Sequence, residues 1–395
     1  MKCINCGTHN YLRDRRANSG RCKRCQHRFV FESTTINRVK ITDAMFAKAI
    51  ADISVNDTLF FTPQQLCYFF CRRLKEKSPK VFYTTSTHVT VDQPPNGIVW
   101  VVFGWLIIAL GLFSSVLLSS TLSIYLFLGC LILGLTFINS GSPQVRKIHQ
   151  QHAHKIFNTA QTLLSDFYQC QSCINQWKAI NQIAKMLPPP RDTNENAAVS
   201  PDVSAYSFDR LVVCDRPEIA QFLIANNFHF ENNCAVLSVT GYPQSIFDTI
   251  MQMLRRNPDL KVYALHDCSP RGLGLVDHLR TSPNWFPDSS ALIIDIGLLP
   301  RQIIAAGDSM LVLNSQEYAR DAVELPPEIR QNLSAEELEW LESGNYVELE
   351  SFSPQRLIQM LNRGIARSRD LGSDESSLIL LGGTDSSIYV VDSFG

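Results

Sequence analysis

Apolar positions are spread unevenly along the chain, and three patterns account for most of them. From residue 208 onward, short apolar runs alternate with helix-period segments. LVVCD (211–215), AVLSVTG (235–241), KVYALHD (261–267) and ALIIDIG (291–297) read as strands. PEIAQFLIANN (217–227), SIFDTIMQMLRRN (245–257) and RGLGLVDHLR (271–280) read as helices. Fully apolar strands alternating with helices predict a parallel sheet covered on both faces. Such sheets bind ligands beyond the strand C-termini. Those ends carry Asp215, Thr240–Gly241, Asp267 and Asp295. Acids converging there predict Mg²⁺ held by oxygen ligands.

The second pattern is freedom from charge. Between Asp92 and Arg146 lie 53 residues without one Asp, Glu, Lys or Arg. Residues 97–117 and 121–138 each reach the length of a membrane span, and only LSS joins them. They predict a two-span hairpin in a lipid bilayer over residues 97–140. Arg72, Arg73, Lys75, Lys77 and Lys80 precede it, and Arg146, Lys147 and Lys155 follow it. Basic residues on both outer flanks place both termini in the cytoplasm. Apart from Cys130 the spans carry no ionisable acid or base, which suits an anchor better than a transport path.

The third pattern is helical. Residues 41–92 read as a helical segment, with a winged-helix shape as the alternative and a break at NDT (56–58). FTPQQLCYFFCRRL begins with a Thr62 N-cap and Pro63 at the first helical position. Cys67 and Cys71 share one face of that helix and read as small core residues. A second metal site would need Cys170-x2-Cys173 as well, and hence contact between two helices. Over residues 144–187, Ile156, Ala160, Leu163, Phe167, Cys170, Ile174 and Trp177 form an a/d seam of three heptads. This helical stalk pairs either with a second chain, as a homodimer, or with residues 64–76. A linker, PPPRDTNENAAVSPDVS (188–204), follows. Near the end, Ser334 with Glu337 forms a capping box, and residues 370–395 read as a β-hairpin tail.

Charge and cysteine spacing add chemistry to this outline. Residues 1–40 carry net +8, residues 41–199 net +4 and residues 200–395 net −13. Cys3-x2-Cys6 and Cys22-x2-Cys25 open the chain, which begins without the apolar core of a secretory signal. Two such pairs predict a closed four-thiolate structural Zn²⁺ site, a zinc ribbon over residues 1–40. Gly7 supplies a turn requiring positive φ. With so little core, metal binding supplies most of the ribbon's folding free energy. Arg13, Arg15, Arg16, Arg21, Lys23, Arg24 and Arg28 surround the knuckles. Nucleic-acid contact and a solvated positive face weigh equally as readings.

The motifs LVVCDRPEIAQFLI, SVTGYPQS, VYALHDCSPRGLGLVDHL and IIDIGLLPRQI, with the later NYVELESFSPQRLIQML, resemble the Toprim domain of the topoisomerase VI A subunit family. The resemblance covers about residues 208–365 within a domain spanning 205–369. It implies an α/β Toprim-like (Rossmann-like) fold and a Mg²⁺ site for DNA strand breakage by a tyrosine. The first acid maps to Asp215 and the first Asp of the family's DxD pair to Asp267. The second Asp maps to the uncharged Ser269, while Pro270 and Gly272 match. Glu218 or Asp295 would have to compensate. Tyr68 maps loosely to the nucleophile, although an aromatic helix face explains it as well. The chain thus reads as multidomain, in the order zinc ribbon, membrane hairpin, helical stalk and Toprim-like domain. The favoured function is a membrane-anchored, non-catalytic binding or scaffold protein that contacts nucleic acid through its basic head. The alternatives are a Mg²⁺-dependent, membrane-tethered nuclease or topoisomerase-like enzyme using Asp215, Asp267 and Tyr68, and a membrane-bound zinc or redox sensor.

Overall fold

The computed structural model describes residues 1–31, 35–36, 39–77, 105–106, 131, 167–191, 209–254, 260–287, 289, 291–307 and 310–370. The chain divides into two compact units. One combines Met1–Ser78 with Gln161–Gly395, and the other is Pro79–Ala160.

The expected two-span membrane anchor, with both termini cytoplasmic, is corrected. Among the described residues no helix is long and apolar enough to cross a membrane. Crossing needs about 20 continuous apolar helical residues, so freedom from charge alone is insufficient. Among the elements with defined ends the longest helix, Pro354–Asp370, has 17 residues. Its polar positions would not tolerate lipid. Nearly all of residues 97–140 lies outside the described residues, as do residues 144–166 of the stalk and the expected 370–395 hairpin beyond Asp370.

The first unit begins with the cysteine knuckles and a short helix, α1 (Leu12–Ala17). A two-stranded ribbon, β1 (Thr35–Ile36) with β2 (Val39–Lys40), leads into α2 (Asp43–Ile53) and α3 (Pro63–Lys77). Asp43 ties the knuckles to α2, since its carboxylate accepts the Val30 and Phe31 N–H groups at 3.0 Å each. A helix over residues 167–178, α4, lies against them. Phe31, Phe46, Phe70 and Trp177 pack as an aromatic core between these elements, edge to face or tilted, with Phe31 stacked on Trp177. The described end of the stalk seam, Phe167, Cys170, Ile174 and Trp177, therefore packs into its own chain.

The α/β domain holds four parallel strands, β3 (Arg210–Cys214), β4 (Ala235–Ser238), β5 (Lys261–Leu265) and β6 (Leu292–Asp295), ordered β4-β3-β5-β6. Successive side chains point to opposite faces. Val212, Cys214, Tyr263 and Ile294 face one core, and Leu211, Val213, Val262 and Ile293 face the other. That explains why these strands carry almost no polar residue. The chain leaves β3 to one side for β4 and returns on the other side for β5. A topological switch point therefore falls at the C-terminal ends of β3 and β5. The helix after β3, α5 (Pro217–Ala225), starts at that point with Pro217 in its first turn.

Candidate functional site

Two constellations emerge. The first is the cysteine cluster. Cys3, Cys6, Cys22 and Cys25 place one sulfur each within 4.8 Å of all the others, so they could hold a metal ion. Cys3 Sγ lies 3.6 Å from Cys25 Sγ, and Cys6 Sγ lies 3.6 Å from Cys22 Sγ. The backbone explains the convergence. Gly7 donates its N–H to Cys3 O at 2.9 Å, and Gln26 donates to Cys22 O at 3.0 Å. Both turn residues take positive φ, +69° at Gly7 and +60° at Gln26. The two knuckles are thus the same turn used twice. Asn10 Nδ2 donates to Cys22 Sγ at 3.4 Å. Burial pushes the Cys22 thiol up, but N–H groups of Cys25 and Arg24 and the Asn10 amide bring it down to about 6. A thiol held near ionisation suits a metal ligand.

The second constellation sits at the switch point. Asp215 follows β3 directly, and Asp267 lies two residues past the end of β5. Asp215 Oδ2 accepts the Asp267 N–H at 2.8 Å, and Asp267 Oδ1 accepts the Leu349 N–H at 2.6 Å. Between them lies Arg216, the N-cap residue of α5. Its Nε is 3.0 Å from Asp267 Oδ2, one terminal nitrogen is 2.7 Å from Glu350 Oε2, and the other is 3.6 Å from Glu348 Oε1. Glu350 and Glu348 come from the segment just before the long Pro354–Asp370 helix. Tyr68, buried on α3, donates its hydroxyl to Glu348 Oε2 at 2.6 Å. Thr62 donates to Glu350 Oε1, and Gln65 Nε2 donates to Phe352 O at 3.4 Å. Four carboxylates, one guanidinium and one phenol thus form one continuous network. A cavity of about 720 Å³ reaches it, lined in part by Asp215, Arg216, Asp267, Ser269 and Tyr318.

Crowding of buried acids shows in their proton affinities. Burial raises the Asp215 carboxyl, and burial with the Asp215 charge raises Asp267 well above the usual range. Burial lifts Glu350 to about 7. Burial works against the Arg216 charge, but Asp267, Glu350 and Glu348 more than offset it, so the guanidinium stays protonated. The Tyr68 phenol is pushed well above its ordinary value, by burial first and then by Glu348.

The residues expected to hold Mg²⁺ do not fit that ion. Mg²⁺ demands near-octahedral oxygen ligation with several retained waters. Here one Asp215 oxygen and both Asp267 oxygens already face backbone N–H groups or the Arg216 guanidinium. Asp215 Oδ1 is buried without a hydrogen-bond partner, and Nε and one terminal nitrogen of Arg216 meet the acids as ion pairs without hydrogen-bond geometry. Ser269 is turned to another task. Its hydroxyl accepts the Gly272 N–H at 3.0 Å and caps the short helix Pro270–Leu273. Gly272 is required there, because a Cβ would stand 2.3 Å from the Asp267 carbonyl oxygen. Asp295 does not compensate either. It pairs with His266 Nε2 at 3.0 Å, while His266 Nδ1 meets the Asp267 carbonyl at 2.8 Å.

The structure therefore brings Asp215 and Asp267 together, links Tyr68 to them only through Glu348 and Arg216, and gives the Ser269 hydroxyl to a helix cap. Arg216, Glu348 and Glu350 are the participants that sequence reasoning passed over. A cation directly after the first strand-end acid was the available signal. No protein-family model and no curated protein matches the chain.

Proposed function

We propose that this protein is a non-catalytic binding protein, in which a degenerate Toprim-like domain serves as scaffold and a zinc-bearing basic ribbon contacts nucleic acid. The observation that carries the reading is Arg216. Its guanidinium stands among Asp215, Asp267, Glu348 and Glu350, where a divalent cation would otherwise neutralise the acids. The same network locks α3 to the α/β domain, so the acids serve cohesion between two parts of the chain. On the ribbon, Arg13, Arg16, Arg21, Lys23, Arg24 and Arg28 are exposed, and Tyr11 is exposed beside His9. Clustered cations beside an open aromatic ring suit the phosphates and stacked bases of a single strand.

Binding of the full chain to a labelled single-stranded oligonucleotide, followed by fluorescence anisotropy against salt, tests this. The affinity should fall steeply with log[salt]. The doubly reversed variant Arg21→Glu/Arg24→Glu should bind more weakly and with a shallower slope. Salt-independent or absent binding would remove the nucleic-acid part of the proposal.

One observation favours a second reading, Mg²⁺-dependent strand cleavage, namely the arrival of Tyr68 beside the acids. Its raised phenol makes it a poor nucleophile in the arrangement seen. Plasmid nicking by the full chain with Mg²⁺, lost in both Tyr68→Phe and Asp267→Ala, would establish that reading. Background nicking in all three proteins supports the binding role.

A further inference from the structure

Four of the cysteines outside the ribbon gather at one helix crossing, apart from both constellations. Cys67 and Cys71 lie one turn apart on α3, and Cys170 and Cys173 lie one turn apart on α4. Spacings of four and three each place a pair on one helical face. The two faces meet, since all four side chains are buried in the same core cluster, none more than 5% exposed. Cys170 is the centre of the group. Its thiol interacts with those of both Cys67 and Cys71, and Cys173 feels both as well. All four are free thiols. Two small apolar residues per helix would fill such a crossing equally well, so four thiols at one crossing call for a chemical reason.

We infer that Cys67, Cys71, Cys170 and Cys173 form a second thiolate site that takes one soft divalent ion of the zinc class, independent of the ribbon. Two pairs, one from each of two facing helices, supply the four donors of a closed tetrahedral site. Among the described residues the ribbon cysteines are the group whose ligand atoms already stand close enough to hold an ion, so the sulfurs of this second set would have to move closer to bind one. Zn–S bonds of about 2.3 Å would draw them inward. The placement gives the site a purpose. Between Cys71 and Cys170 run 98 residues, which include the whole of the Pro79–Ala160 unit. An ion bound by both pairs would clip together the points where the chain leaves the first unit and re-enters it. Closing so long a loop is where a cross-link constrains the unfolded chain most.

Metal analysis of the full chain, purified under reducing conditions, tests the inference. Two zinc equivalents are expected in the wild type. One should remain in Cys3→Ser/Cys6→Ser, and one in Cys170→Ser/Cys173→Ser. Because the second variant alters a core, a measurement on the intact core accompanies it. Wild-type protein loaded with Co²⁺ should show thiolate-to-cobalt charge-transfer absorbance, and Cys3→Ser/Cys6→Ser should retain about half of it. One equivalent in the wild type, with none and no charge-transfer band in Cys3→Ser/Cys6→Ser, would overturn the second site. So would a disulfide among these four residues in protein that binds a single ion.

Discussion

Replacing Arg216 by Met is the perturbation that probes the acidic network most deeply. The side chain keeps its length and apolar stem but loses the charge. Its nitrogens face Asp267 at 3.0 Å, Glu350 at 2.7 Å and Glu348 at 3.6 Å, and Glu350 is almost completely buried. Removing one partner of a buried ion pair costs about 3–5 kcal/mol, because the remaining charges are left uncompensated. Here four carboxylates lose their common counter-charge, so the upper half of that range is expected at pH 8. The carboxyls can escape part of the cost by taking up protons. Glu350 already titrates near 7. At pH 5.5 it is protonated in both proteins, so the loss should shrink to about half. Urea unfolding, followed by tryptophan fluorescence at both pH values, measures the difference. Adding 10 mM Mg²⁺ should restore part of the stability of the variant and leave the wild type unchanged. A loss below about 1 kcal/mol at pH 8, or a larger loss at pH 5.5, would refute the role given to Arg216.

Three further predictions follow from particular residues. Gly297→Ala places a Cβ about 2.3 Å from three atoms of the His266 ring, so the His266–Asp295 pair must break. Overpacking of this kind costs about 1–3 kcal/mol, readable as a lowered urea midpoint. Stability of the wild type should fall steadily between pH 5 and pH 9. Burial alone would lower His266, but Asp295 raises it to about 9, so its contribution is complete below 6.5 and lost as pH rises through 9, about 3 kcal/mol in all. Glu350 acts in the same sense, since its folded-state value near 7 lies above the unfolded one and its contribution fades between 4.5 and 7. Finally, a chelator should expose the four ribbon thiols to alkylation and open amide exchange over residues 1–31, with the α/β core still protected. Uniform loss of protection across β3–β6 would contradict that separation.

The sheet was legible because its physics is local. LVVC, AVLS, KVYAL and LIID are apolar on both faces, and only a strand buried on both sides needs that. The paired CxxC knuckles were legible for a similar reason, since spacing alone fixes the turn. The stalk shows where periodicity stops being informative. Its seam runs to Trp177, and the helix ends at residue 178 instead of near 187. Beyond it, Lys185 O accepts the Phe61 N–H at 3.0 Å and Leu187 donates to Phe61 O at 2.9 Å. A tertiary bridge claimed backbone groups that a longer helix would have used. Arg216 was hidden in the same way. Nothing in DRPE says that the arginine folds back among acids lying 51 to 134 residues further on. Ser269 reads as a lost ligand in the sequence, yet its hydroxyl has a definite use as a cap.

If Arg216 stands where a cation would otherwise neutralise the acids, the site has no room for Mg²⁺. Calorimetric titration of Mg²⁺ into the full wild-type chain, with Asp267→Ala as the control, tests it most directly. No saturable heat is expected from either protein up to 10 mM Mg²⁺. One equivalent bound by the wild type and lost in Asp267→Ala would contradict it and return the acids to metal chemistry.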